Sequence, residues 1–128
     1  MIYLDTSVAL AHLLAEDRSP PDALWSESLV ASRLLEYELW NRIRARSLAE
    51  TQAEAVRELI GRVALLELVP PVLARALEPF PQPVRTLDAL HLSSLEFLRE
   101  QGQVVKLASY DEWLLSAAQA LGIPIEDC

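Results

Sequence analysis

The chain opens on four positions that suit a buried strand, Met1-Ile2-Tyr3-Leu4, and breaks at once into Asp5-Thr6-Ser7. Val8, Leu10, Leu13 and Leu14 then recur at helical spacing. Asp5 therefore stands where a strand hands over to a helix. Residues 16–21, Glu-Asp-Arg-Ser-Pro-Pro, read as a loop. A short strand is expected at 29–32, a helix at 33–46 and another from Thr51 to about residue 63. The apolar run 65–69 predicts a third strand, stopped by Pro70-Pro71. A short helical stretch, 72–77, leads into the proline-rich connection 79–83. Thr86 is placed to cap a helix over 87–99, which Gly102 ends. Residues 104–108 predict the fourth strand and 112–121 the last helix, with Gly122 in the position favoured just past a helix end. Ile123-Pro124-Ile125 adds a possible edge strand, where proline is tolerated.

Strands alternate with helices throughout. That order predicts an α/β fold, a parallel central sheet of four to five strands covered by helices on both faces, with right-handed crossovers. No repeat or low-complexity tract divides the chain, and its 128 residues fit one domain, 1–128. In such a sheet ligands bind along the carboxyl ends of the strands, which makes the acids at the strand-to-helix handovers the first candidates for chemistry.

Composition narrows the classes. Just over half of the residues are apolar, enough for a substantial core, and the single cysteine, Cys128, excludes an intrachain disulfide framework or a Cys-rich metal site. The first segment lacks a basic start and is interrupted by Asp5, so it does not read as a secretory signal. No stretch of about 18 uninterrupted apolar residues predicts a membrane span. The expectation is a soluble, cytoplasmic protein. The formal charge of −8 argues against broad, non-specific nucleic-acid binding, which Lys and Arg contacts to phosphate dominate. It leaves room for a small site. Arg33, Arg42, Arg44 and Arg46 crowd one predicted helix, either as solvated charges or as a phosphate-facing edge.

Four acids have readings beyond surface charge. Asp5 and Asp111 each follow a predicted strand and precede a helix, where an N-cap is an equally good account. Asp88 lies in the first turn of its helix and shares a helical direction with Leu92, Leu95 and Arg99, so it tops an inward face. Glu38 lies inside the apolar arc of Leu34, Leu35, Leu39, Ile43 and Ala45, whereas Glu36 lies beyond its edge. An acid on such an arc must be paired, protonated or bound to a cation. Arg42, four residues on, is the local pairing candidate. If the four converge, their repulsion calls for a cation. An all-oxygen set suits Mg²⁺ or Mn²⁺ instead of zinc, and such an ion can activate a water and polarise a phosphate.

These pieces resemble the PIN-domain ribonucleases, and within them the VapC-type toxin half of bacterial toxin–antitoxin pairs. The resemblance rests on Ile2-Tyr3-Leu4-Asp5-Thr6-Ser7, on residues 32–39 from Ser32 to Leu39, on Arg85-Thr86-Leu87-Asp88-Ala89-Leu90-His91-Leu92, on Ser109-Tyr110-Asp111 and on residues 117–124. It spans the chain in order. It implies a compact three-layer α/β/α sandwich of PIN type. It implies that Asp5, Glu38, Asp88 and Asp111 form the acidic quartet, with Asp5 and Asp88 as the usual direct metal ligands and Glu38 and Asp111 binding directly or through water. Thr6 and Ser109 match hydroxyl positions that orient ligands or water. The implied activity is hydrolysis of RNA phosphodiester bonds with Mg²⁺ or Mn²⁺. The implied partners are an RNA substrate, a cognate antitoxin and a second copy of the chain. Relatives often carry threonine where Ser109 stands; the hydroxyl is kept.

Other positions carry less. His91 follows Asp88 by three residues and can reach RNA or a neighbouring acid, although a core or interface histidine is the better reading. His12 reads as surface or interface, and neither histidine has zinc-pair spacing. Tyr37 and Trp40 point away from the Leu35–Leu39–Ile43 face, toward burial against the Thr51 helix or toward a partner, and Trp25 is equally open. A phosphoacceptor signalling domain also gathers acids and Mg²⁺. It needs a paired Asp-Asp after the first strand and a lysine at a strand end, and Lys106, the only lysine, falls mid-strand. A phosphatase of the haloacid-dehalogenase type needs a second Asp two residues after Asp5, where Ser7 stands. A non-catalytic interaction module would use the acids as caps and ion pairs.

Overall fold

A computed structural model describes all residues, Met1–Cys128. The strands are β1 (Ile2–Leu4), β2 (Leu29–Ser32), β3 (Val63–Leu66) and β4 (Lys106–Ala108). The helices are α1 (Thr6–Leu13), α2 (Leu34–Ala45), α3 (Ala49–Gly61), α4 (Pro70–Ala76), α5 (Thr86–Glu100) and α6 (Glu112–Ala120). The sheet runs β3-β2-β1-β4 with every pair parallel. Parallel pairing needs a long crossover between neighbours, and the helices supply it.

Alternation along each strand divides the interior in two. Ile2, Leu4, Leu29, Ala31 and Val63 face one core with Val8 of α1, Leu35, Leu39 and Ile43 of α2 and Val56 and Leu59 of α3. Tyr3, Val30 and Leu107 face the other with Leu92, Leu95 and Leu98 of α5 and Leu114, Ala117 and Ala118 of α6. The result is the expected three layers. Leu35, Leu39 and Ile43 are fully buried; truncating one such leucine to alanine costs about 2–5 kcal/mol.

Some boundaries differ from the sequence reading, each for a physical reason. The third strand begins at Val63 and ends at Leu66, earlier than the apolar run suggests, because its register is set by β2: Leu29 pairs with Val63 and Ser32 with Leu66. Thr86 is not a cap but the first helical residue; Arg85 occupies the cap position and offers no capping side-chain hydrogen bond. β4 is three residues long, since Val104 lies 83% exposed ahead of it. The fifth strand reduces to one parallel bridge, Leu107 to Ile125. Residues Asp22–Ser26 form a short 3-10 helix, and Trp25 within it packs on His12, the two rings tilted with centroids 4.5 Å apart. Pro70 and Pro71 start α4 instead of ending a strand, in first-turn positions that need no N–H donor. No helix is long and apolar enough to cross a membrane.

Candidate active site

The carboxyl ends of β1 and β4 lie side by side, since Leu4 pairs with Ala108. The residues that follow, Asp5 on one strand and Ser109 to Asp111 on the other, therefore meet. Asp5 Oδ2 accepts hydrogen bonds from Ser109 Oγ at 2.8 Å and Ser7 Oγ at 2.6 Å. It also caps α1 through the Ser7 amide. Ser109 Oγ accepts from the Asp111 amide at 3.0 Å, so one hydroxyl joins the two handovers. Asp111 caps α6, its Oδ1 accepting from the amides of Trp113 and Leu114, and its Oδ2 is left free to face elsewhere.

That second oxygen takes Arg85 Nη2 at 2.5 Å, and Arg85 Nε reaches Asp88 Oδ2 at 2.6 Å. The guanidinium thus bridges the start of α5 to the start of α6. Burial pushes the Asp88 carboxyl up from its ordinary range; the Arg85 hydrogen bond and charge oppose that, and the nearby charges of Asp111 and Asp5 add to the rise. Arg85 in turn is held as a cation more firmly than usual by its hydrogen bonds to Asp88 and Asp111. Asp5 and Asp88 are both buried. Three carboxylates on three elements therefore share one electrostatic neighbourhood.

Glu38 is held from the opposite layer. Its Oε1 lies 2.5 Å from His91 Nε2, one turn after Asp88 on α5. The local candidate, Arg42, does not pair with it; the partner is 53 residues away in sequence. The sequence reading of His91 as a core histidine describes its burial and omits its contact with Glu38. Its other nitrogen, Nδ1, lies 2.8 Å from Tyr3 Oη. Burial alone would lower the ring's pKa, but Tyr3 and the hydrogen bond and charge of Glu38, with Asp5 beyond, outweigh it and raise the pKa well above the ordinary histidine value.

The expected hydroxyls divide. Ser109 contacts Asp5 as described, whereas Thr6 Oγ1 is buried with no hydrogen-bond partner; the hydroxyl beside Asp5 is that of Ser7. Sequence reasoning also missed Arg85 and Tyr3. Arg85 had a signal, a cation three residues before Asp88 at a helix start. Tyr3 had none beyond its place in the first strand.

The donor set is wholly carboxylate oxygen, the chemistry of a hard divalent cation. Thr6 Oγ1, an orphaned polar atom adjacent in sequence to Asp5, has spare hydrogen-bonding capacity at this edge. As folded, no three acids or histidines converge on a common point: Arg85 occupies Asp88 and Asp111, and His91 occupies Glu38. The residues fit such a cation in chemistry, and Arg85 supplies the positive charge beside Asp88 and Asp111.

Other candidates resolve differently. Lys106 pairs with Ile2 at the amino end of the sheet and lies 3.6 Å from Glu126, remote from the acids along the strand, which removes the lysine that a phosphoacceptor site requires. Arg33 binds Glu36 and Glu67, and Arg46 lies 3.5 Å from Glu16; these are surface pairs. Trp40 sits between Arg44 and Arg57 of α3, partly buried, while Tyr37 is 61% exposed. Burial against the following helix therefore holds for Trp40 and not for Tyr37.

The PIN domain family model matches residues 2–97. The protein called Ribonuclease VapC47 of Mycobacterium tuberculosis (strain CDC 1551 / Oshkosh) is 30% identical over 129 residues, 95% of this chain and 93% of that protein. Ribonuclease VapC35 of the same strain is 30% identical over 131 residues, 98% of this chain and 95% of that protein. The family match ends before β4 and Asp111, and both relatives carry the alignment across nearly the whole chain. The chain belongs to the PIN-domain family, among the ribonucleases of VapC type.

Proposed function

We propose that the chain is a metal-dependent endoribonuclease, the toxin of a toxin–antitoxin pair, working as one domain over residues 1–128. The observation that carries this reading is the linkage of Asp5, Asp88 and Asp111 at the carboxyl edge, Ser109 joining Asp5 to Asp111 and Arg85 joining Asp111 to Asp88, in a chain related to named ribonucleases. Buried carboxylates so close need a counter-charge, and a guanidinium on an exposed loop can exchange for another cation.

Asp5 and Asp88 would hold Mg²⁺ or Mn²⁺ directly, and Glu38 and Asp111 would bind it directly or through water. Such an ion supplies a bound water of lowered pKa and neutralises charge on a phosphate. The chain's own residues do the rest. Ser109 and Ser7 hold Asp5 Oδ2 in one direction. The α6 cap fixes Asp111 by Oδ1 and leaves Oδ2 to the site. His91 holds Glu38 by Oε1. Arg85, 57% exposed at its side chain, is free to turn outward toward an RNA phosphate. The setting is the cytoplasm. The partners are RNA, a cognate antitoxin whose basic side chain takes the place Arg85 holds in the unliganded chain, and a second copy of the chain.

The test is RNA cleavage by the purified, antitoxin-free chain with Mn²⁺ or Mg²⁺ and with chelator, alongside Asp88→Asn. Cutting that needs metal and vanishes in the variant is the expected result. Equal cutting by Asp88→Asn would sink the reading.

A further inference from the structure

We propose that His91 is a positioning residue for Glu38, and that Tyr3 positions His91, so that a buried relay from β1 through α5 to α2 sets the direction of the Glu38 carboxylate. The inference rests on the metal-dependent ribonuclease reading for what Glu38 does, and on geometry alone for who holds it.

The relay crosses the sheet at its carboxyl edge. Tyr3 belongs to the core beneath α5 and α6, and Glu38 to α2 on the other face. Tyr3 is fully buried and His91 is 1% exposed. The Ser32 amide, at the end of β2, donates to Tyr3 Oη at 3.1 Å. Tyr3 Oη lies 2.8 Å from His91 Nδ1, and His91 Nε2 lies 2.5 Å from Glu38 Oε1. The two rings meet edge to face with centroids 5.8 Å apart. Every polar atom in this buried line has a partner, which is the condition for such a network to rigidify.

Proton directions follow from the partners. Tyr3 Oη already accepts from the Ser32 N–H, so its own proton is available to His91 Nδ1. That leaves the ring's N–H on Nε2, aimed at Glu38. A doubly protonated ring also presents Nε2–H to Glu38. The one form excluded is the tautomer with a bare Nε2, which would set a lone pair against a carboxylate. In the neutral ring Tyr3 thereby fixes the tautomer that Glu38 needs, the arrangement by which outer partners orient ligating groups. With Oε1 held, Glu38 keeps Oε2 for the site on a side chain 17% exposed.

The test uses the full chain and three substitutions. In His91→Gln the side-chain amide nitrogen falls near the Nε2 position and keeps the donor to Glu38. In His91→Asn it falls near Nδ1 and loses that donor. Tyr3→Phe removes only the hydroxyl. Mn²⁺ binding by calorimetry, the unfolding midpoint with chelator, and kcat and KM on a cleaved RNA are measured for each. His91→Asn is expected to bind Mn²⁺ about 10- to 100-fold more weakly, with the loss in kcat and little change in KM. His91→Gln should stay within a few-fold of wild type, although both variants lose metal-free stability. Equal Mn²⁺ affinity in Asn and Gln variants, or losses that merely follow their midpoints, would overturn the positioning role. A metal-free readout stands beside these: ¹⁵N spectra across a pH titration of the wild-type ring should show Nε2 protonated in both the charged and the neutral form, and Tyr3→Phe should mix tautomers once the ring is neutral. A wild-type ring protonated on Nδ1 alone overturns the proposal whether or not the chain cuts RNA. A wild-type chain that binds Mn²⁺ but cuts nothing overturns the ribonuclease reading and leaves the relay to be judged on Mn²⁺ affinity and the ring spectra.

Discussion

Arg85 Nε lies 2.6 Å from Asp88 Oδ2 across the first turn of α5, a basic residue joined to the acid three positions on. The same guanidinium reaches Asp111 Oδ2 on the other side. A single exposed side chain thus neutralises two acids that the fold brings from different elements. On the proposed metal-dependent reading, a divalent ion and Arg85 would compete for the same oxygens, because both answer the same electrostatic demand.

Arg85→Gln should therefore act in opposite directions with and without metal. In chelator the two carboxylates lose their counter-charge, and stability should fall by about 1 kcal/mol, the upper range for a partly exposed pair. With Mn²⁺ the competitor is gone, and affinity should rise several-fold. Thermal unfolding across a Mn²⁺ titration reads both. Unchanged Mn²⁺ affinity in the variant would mean that Arg85 does not stand in the ion's place.

Ser109 ties the two strand ends together. Its hydroxyl donates to Asp5 Oδ2 at 2.8 Å and accepts from the Asp111 amide at 3.0 Å, and the residue is 3% exposed. Ser109→Ala leaves the partly buried Asp111 amide without its acceptor and Asp5 with Ser7 as its remaining hydroxyl donor. The expected cost is about 1–3 kcal/mol, read as a shift of the urea midpoint at constant m-value. Ser109→Thr keeps the hydroxyl and should recover most of it where the methyl fits.

What could be read in advance follows from the range of the forces involved. The alternation of strands and helices and the inward faces of α2 and α5 are local patterns, and they locate the layers. The acids at the ends of β1 and β4 were legible for the same reason. The capping reading holds for both Asp5 and Asp111: Asp5 caps through Oδ2, which also accepts from Ser109 Oγ, and Asp111 caps through Oδ1, which leaves Oδ2 to Arg85. The partner of Glu38 was not legible. The helical wheel shows that Glu38 faces inward, but which cation meets it depends on how α5 lies across the sheet, and the local candidate Arg42 was the wrong one. The start of β3 was missed because pairing with β2, not the apolar run, sets it. Thr6 and Ser7 could not be told apart as the hydroxyl on Asp5, since one residue of helix rotation decides it.

The end of α6 offers a separate check on the backbone. The Gly122 amide bonds Gln119 O and the Ile123 amide bonds Ala118 O, both at 3.0 Å, with Gly122 at φ +72°. This pattern of two bonds closes a helix and asks for glycine at the left-handed position. Gly122→Ala meets no atom within 4 Å of an added Cβ, so its cost is conformational, about 1–2 kcal/mol. Because the turn delivers Ile123 to the core and Ile125 to its bridge with Leu107, the loss should appear in global unfolding and leave Mn²⁺ affinity unchanged.

Asp111 allows its two duties to be separated. Oδ1 accepts from the amides of Trp113 and Leu114, and Oδ2 faces Arg85. Asparagine caps a helix about as well as aspartate, so Asp111→Asn should hold α6 while removing one negative charge from the site. Asp111→Ala removes both. The difference in stability between the two variants should be close to the cap, about 1 kcal/mol. The loss of cleavage should already be complete, or nearly so, in Asp111→Asn. If Asp111→Asn cut RNA at the wild-type rate while Asp111→Ala failed, Asp111 would be a helix cap alone. The acid set would then shrink to Asp5, Glu38 and Asp88, and the Arg85 contact to Asp111 would be structural.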